Sequence, residues 1–136
     1  MKKAALAYVL GGPDDHHVLT VYNHKYGAFG MPGGKVEDGE DPQMACVREL
    51  REETAACAFY ASPIHESPTY VVSANGEREH WCHVFEVEIT DTWWTSPRGV
   101  EPNQLVGWCT REFLCTQPHE EAALWFRRFF SDLDAR

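Results

Sequence analysis

The sequence has no C-x-x-C pair, no apolar run long enough to cross a membrane and little positive charge, with 12 Lys and Arg against 21 Asp and Glu. Its five cysteines, Cys46, Cys57, Cys82, Cys109 and Cys115, are odd in number and widely spread, which excludes a disulfide framework and predicts reduced thiols. His80-Trp81-Cys82-His83 is the one cluster with the residue types of a transition-metal site. On a strand His80 and Cys82 face away from His83, and no second pair has ligand spacing, so a zinc site is not expected. The net charge of −9 argues against nucleic acid polymers, because a phosphate backbone selects basic surfaces. An anionic substrate would need a metal. With no membrane span, and an apolar stretch after Met1-Lys2-Lys3 too short for a signal peptide, the chain is expected to be cytoplasmic. There is no repeat, linker or low-complexity segment, and 136 residues at 43% apolar predict one domain over 1–136, as a monomer or a homodimer.

What is present is strand pattern, broken once by a helix. Ala4 to Leu10 reads as a buried strand, Gly11 to His16 as a polar loop and Val18 to Tyr22 as a second strand. Strands are expected at Ala58 to Ile64 and Thr69 to Ser73. Asn75-Gly76 then makes a hairpin turn into an alternating strand from Glu79 to Ile89. Thr90 to Asn103 reads as a loop, Leu105 to Cys109 as a short strand, and His119 to Leu133 as a final helix burying Ala122, Phe126, Phe129, Phe130 and Leu133. Pattern alone gives an α/β or α+β sandwich.

The chemistry concentrates between Gly33 and Ala56. Gly33-Gly34 and a polar turn lead to Asp41-Pro42, an N-cap followed by proline at the first helical position, so a helix should run to about Ala55. Met44, Val47, Leu50 and Thr54 recur as its expected core stripe. Glu49, Glu52 and Glu53 cluster within roughly 100° of one another, nearly opposite that stripe. Three such carboxylates repel by about 0.2–0.5 kcal/mol per close pair, so a purely structural helix has no need of them. Beside a Gly-Gly turn with inward-pointing carbonyls they make an oxygen-only donor set suited to Mg²⁺ or Mn²⁺.

Gly34, five residues, Glu40, seven residues, then Arg48-Glu49-Leu50-Arg51-Glu52-Glu53 resembles the Nudix box, the signature of hydrolases that cleave nucleoside diphosphates linked to another moiety. Met31-Pro32-Gly33 is also similar to the family. Ala55 and Ala56 depart from it, standing where the family usually has glycine and a bulky aliphatic. Alanine takes a positive φ at a cost of about 1 kcal/mol, so a differently shaped helix end is expected. The resemblance implies an α/β/α sandwich around a mixed β-sheet.

It also implies roles. Glu49, Glu52 and Glu53 would hold Mg²⁺ (or Mn²⁺) with the Gly33 carbonyl, one of these glutamates acting as base, while Arg48 and Glu40 pair and orient the cluster. A further acidic ligand from outside the box is implied, for which Glu101 in Val100-Glu101-Pro102 is favoured over Glu86 and Glu88. Lys35 would meet a phosphate, or is a solvated surface lysine. Residues at the proline opening the final helix, His119, Glu120 and Glu121, would touch a base that Phe29 or Trp125 stacks on, the carboxylates accepting from purine N–H groups. The implied activity is cleavage of a nucleoside triphosphate, of the MutT-like kind, to monophosphate and pyrophosphate. The alternatives are hydrolysis of ADP-ribose or a dinucleoside polyphosphate, or a nucleotide sensor that does not turn over.

Overall fold

The computed structural model describes residues 2–73, 76–90 and 105–136. Among the described residues the elements follow in the order β1 (Lys2–Tyr8), β2 (Leu10–Gly11), β3 (His17–Asn23), β4 (Ala28–Gly30), β5 (Gly33–Lys35), α1 (Pro42–Thr54), β6 (Ala58–Ser73), β7 (Gly76–Ile89), β8 (Val106–Cys109), α2 (Arg111–Cys115) and α3 (Glu120–Asp134). One sheet has the order β5-β1-β7-β6 and is mixed, since β1 runs parallel to β7 and antiparallel to β5. A smaller sheet is built on β3, which pairs with β2, β4 and β8.

The larger sheet is covered on both faces because its central strands are apolar on both. Ala5, Ala7, Phe85 and Val87 pack with Ala45, Cys46 and Leu50 of α1. Tyr8, Cys82 and Val84 pack with Phe126, Phe129 and Phe130 of α3. Alternation along β1 and β7 therefore feeds two cores rather than one core and solvent. This is the expected α/β/α sandwich around a mixed sheet.

Several sequence readings shift. The two strands expected between Ala58 and Ser73 are one strand, β6, with irregularities between Ala58 and Tyr60 and between Pro63 and His65. Pro63 and Pro68 do not break it because β6 lies at the edge of its sheet, where one side of the backbone has no ladder to complete. The strand after the hairpin begins at Gly76, three residues earlier than its alternation indicated. The stripe on α1 is also corrected. Met44 is 67% exposed, whereas Ala45, Cys46, Leu50 and Thr54 are buried. At about 100° per residue those four define an arc that contains Glu49 and Glu53 instead of opposing them. Small residues at Ala45 and Cys46 let the helix lie close to the sheet, and that closeness brings the two glutamates over β5. All five cysteines are free thiols. Among the described residues no helix is long and apolar enough to cross a membrane.

Candidate active site

The box helix starts and stops as its residues dictate. Asp41 caps it, its side chain accepting from Gln43 N–H at 2.9 Å, and Pro42 occupies the first turn. It ends at Ala55, which adopts the left-handed conformation (φ 67°, ψ 3°) and donates its N–H to the Arg51 carbonyl at 2.9 Å. The helix end thus keeps the shape a glycine would give it, with alanine bearing the strain.

Arg48 organises the acidic residues. Its guanidinium grips Glu40 as a fork, Nε to Oε2 at 2.8 Å and Nη2 to Oε1 at 3.0 Å. Nη1 donates to Glu49 at 3.1 Å and to Glu52 at 3.3 Å, and Nη2 donates to the Lys35 carbonyl at 3.2 Å. One planar cation therefore fixes three carboxylates and the end of β5 together. The fork, seconded by the Glu37 N–H bond to Glu40, holds the Glu40 carboxyl down at about 2. Glu49 moves the other way. Burial raises its pKa more than Arg48 lowers it, and its side chain is only 18% exposed against 58% for Glu52.

Glu53 is anchored from the other side. Gly33 N–H donates to its Oε1 at 2.7 Å, tying the last turn of α1 to the first residue of β5. The two glycines are required by proximity. A Cβ on Gly33 would stand 2.2 Å from the Ala5 carbonyl oxygen, and one on Gly34 would stand 2.7 Å from the Glu49 carboxylate. Among the described residues no three Asp, Glu, His or Cys side chains are already gathered as a metal-holding group. The donor chemistry nonetheless suits a hard cation, because the groups around the Gly33-Gly34 strand are carboxylate and carbonyl oxygens and one of them, Glu49, is desolvated.

On the other face of β1 lies an apolar pocket of about 220 Å³. Leu6 forms part of its floor and is the Cα partner of Gly33, so pocket and box are one strand apart at the β5 edge. Phe29, His119 and Trp125 all line it. Trp125 stacks on Phe129 with ring centroids 5.3 Å apart, so it is both wall and core. Glu120 is exposed and does not line the pocket; Glu121 does. Lys35 is exposed on β5. Glu101 lies outside the described residues. Glu86 and Glu88 are exposed on β7 and line a separate depression with Asp15 and Trp108, to which the box helix contributes nothing.

Sequence reasoning missed Gln117. It is 7% exposed, and its side-chain amide pairs with both backbone groups of Phe29, accepting from N–H at 2.7 Å and donating to the carbonyl at 3.1 Å. A glutamine between a short helix and a proline gives no signal of such a clamp.

A family model for the NUDIX domain matches residues 1–133. The chain belongs to the Nudix family. It is 47% identical over 45 residues to Nudix hydrolase 25 of Arabidopsis thaliana, a match covering 33% of this chain and 25% of that protein. It is 38% identical over 50 residues to the 8-oxo-dGTP diphosphatase of Proteus vulgaris, covering 34% of this chain and 45% of the relative. These matches span less than half the length of either curated relative. The crystal structure of a MutT Nudix hydrolase from Burkholderia pseudomallei is similar along 93% of this chain and 95% of its own, with a TM-score of 0.71 and 24% identity. That likeness shows the Nudix fold for the chain.

Proposed function

We propose that this chain hydrolyses a nucleoside triphosphate, or a modified deoxynucleoside triphosphate, to the monophosphate and pyrophosphate by attack of water on phosphorus. The observation that carries this reading is the pair of anchors on the box glutamates, the Arg48 guanidinium on Glu49 and Glu52 and the Gly33 N–H on Glu53. Glu49, Glu52 and Glu53, with the Gly33 carbonyl and with Glu101 from outside the box, would hold Mg²⁺ or Mn²⁺. That cation supplies neutralisation of the phosphoryl charge and acidification of water.

The chain's own residues do the rest. One of the three glutamates accepts the proton of the attacking water, and Arg48 keeps their carboxylates oriented so that no reorganisation is needed at that moment. Lys35, exposed beside Gly34, meets the phosphate chain. Phe29 and Trp125 hold the base in the pocket across β1. The name of the Proteus vulgaris relative, 8-oxo-dGTP diphosphatase, supports this substrate class.

The test is a panel of nucleoside triphosphates, ADP-ribose and dinucleoside polyphosphates, assayed with Mg²⁺ and with products identified. Monophosphate and pyrophosphate from a triphosphate are expected. In E53Q turnover should fall by about 10²–10⁴-fold, while the amide oxygen keeps the Gly33 bond and the fold stays intact. Binding without product would favour the sensor, and unchanged turnover in E53Q would defeat the assignment.

A further inference from the structure

The smaller sheet carries a row of aromatic rings on one face. Tyr22 and Phe29 are Cα partners on β3 and β4, and on its other side the Tyr22 N–H donates to the Leu105 carbonyl just before β8. The three side chains therefore lie abreast. The rings meet in succession, His24 on Tyr22 with centroids 5.0 Å apart, Tyr22 on Phe29 at 5.0 Å and Phe29 on Phe113 of α2 at 5.8 Å, each pair edge to face. Leu105 is 51% exposed and Phe113 46%. Charge sits at the two ends of the row. Lys25 follows His24 and Glu112 precedes Phe113; both are exposed, and neither forms an ion pair among the described residues.

We infer that this face joins two copies of the chain as a two-fold symmetric dimer, with Tyr22 and Phe29 at the centre and Lys25 of each copy against Glu112 of the other. A two-fold interface is self-complementary, so what lies at one end of the patch meets what lies at the opposite end of the second copy. A cation at one end, uncharged rings between and a carboxylate at the other meet that condition, because turning the row end for end pairs each charge with its opposite. Chains of net charge −9 need such a place, since their summed charge otherwise drives two copies apart.

The rival apolar surface fails the same condition. Phe59 and Tyr60 are more exposed, at 73% and 59%, near the start of β6. Tyr60 is the Cα partner of Glu88, so a two-fold contact there would bring the Glu88 carboxylates of two copies together. The edge of β6 is also obstructed for strand pairing. The Ala61 carbonyl accepts from Gln43 Nε2 at 2.9 Å, Pro63 has no N–H to offer, and the Ile64 carbonyl accepts from Arg136. Phe29 lines the pocket across β1 as well, so the interface and the pocket share a wall. The association itself rests on the surface alone, and it is measured without nucleotide.

The test is sedimentation equilibrium of the full chain from micromolar to millimolar concentration, with Tm recorded for every variant. The mass should rise from the 15.5 kDa of one chain toward twice that value. L105K and F113K should each weaken association by about 10²-fold or more, as they put a charge into the apolar centre. K25E and E112K should each weaken it by about tenfold, since every substitution acts twice in a two-fold dimer. The double variant K25E/E112K restores opposite charges and should return to within about threefold of wild type. M44K, on an exposed residue of α1, should associate as wild type does. The charge exchange decides the matter even where F113K fails to fold. A wild-type chain that keeps the mass of one copy throughout would overturn the inference, as would a dimer that survives L105K or a double variant no better than the single ones. A monomer in which F113K weakens binding of a dinucleoside polyphosphate would also overturn it, assigning the row to a second base.

Discussion

Replacing Ala55 with glycine should make the protein more stable. Ala55 sits at φ 67° and ψ 3°, where the Cβ of an L-residue crowds the following carbonyl at a cost of about 1–2 kcal/mol. Glycine removes that strain but brings a more flexible unfolded chain, which returns about 0.5–1 kcal/mol. Ala55 is exposed, so losing its methyl group sacrifices little buried area, and its N–H bond to Arg51 is a backbone bond that the substitution leaves alone. The net gain is about 0.5–1 kcal/mol, which for a chain of this size is a rise in Tm of about 2–4 °C. Thermal unfolding and urea titration of wild type and A55G measure it, with the midpoint moving and the slope unchanged. An unchanged or lowered midpoint would refute the reasoning, because it would mean that the end of the box helix is not held in the left-handed conformation. Turnover should be unaffected, since neither Arg48 nor Glu53 depends on the Ala55 side chain.

In G34A the new methyl group should collide with the Glu49 carboxylate that Arg48 holds in place, cutting kcat by about tenfold or more while Tm changes little; wild-type kcat would refute it. The Glu40 carboxyl is depressed in the fold from an ordinary 4.5 to about 2, so its stabilising contribution is full above the unfolded value and is lost as pH falls from there through about 2. Stability followed by denaturant titration should therefore drop less between pH 4.5 and 2 in E40Q than in wild type; parallel curves would show that the fork does not act on stability. For the further ligand, E101Q should lower kcat more than it raises KM at saturating Mg²⁺, with E86Q and E88Q nearly silent. A normal E101Q beside a crippled strand variant would transfer the role to the strand.

The extent of the box helix was legible almost to the residue, because Asp41-Pro42 opens it. Its orientation was not. Met44 is more hydrophobic than Ala45, so a pattern reading turns Met44 inward, but close packing against a sheet selects for small size, and size is invisible to periodicity. The Arg48 to Glu40 pairing came from resemblance, while the Gly33 N–H bond to Glu53 needed the register of β5 against β1. Strands β2, β4 and β5 hold two or three residues each and contain glycine, too short for any alternation to register. Helix α2, with five residues, is likewise below the length at which a 3.6-residue period can be read. The pocket was half legible. Phe29, His119, Trp125 and the His119-Glu120-Glu121 segment were named from the sequence, but Asn23 joins the lining, and Gln117 clamps Phe29 behind it, only when β3, β4 and α3 are brought together.

A helix seated on alanines has no slack. Ala5, Ala7, Ala45 and Cys46 are fully buried between β1 and α1, and this thin layer acts as a spacer gauge for everything α1 carries. Widening it by one methylene would cost only about 1–3 kcal/mol of stability, which a folded domain can survive. The same widening would lift α1 away from β5 and lengthen the 2.7 Å bond between Gly33 and Glu53, a change that stability measurements would barely register. Tolerance to mutation in this layer is therefore set by function before folding, and enlarged residues there should yield soluble, well-folded and catalytically dead protein.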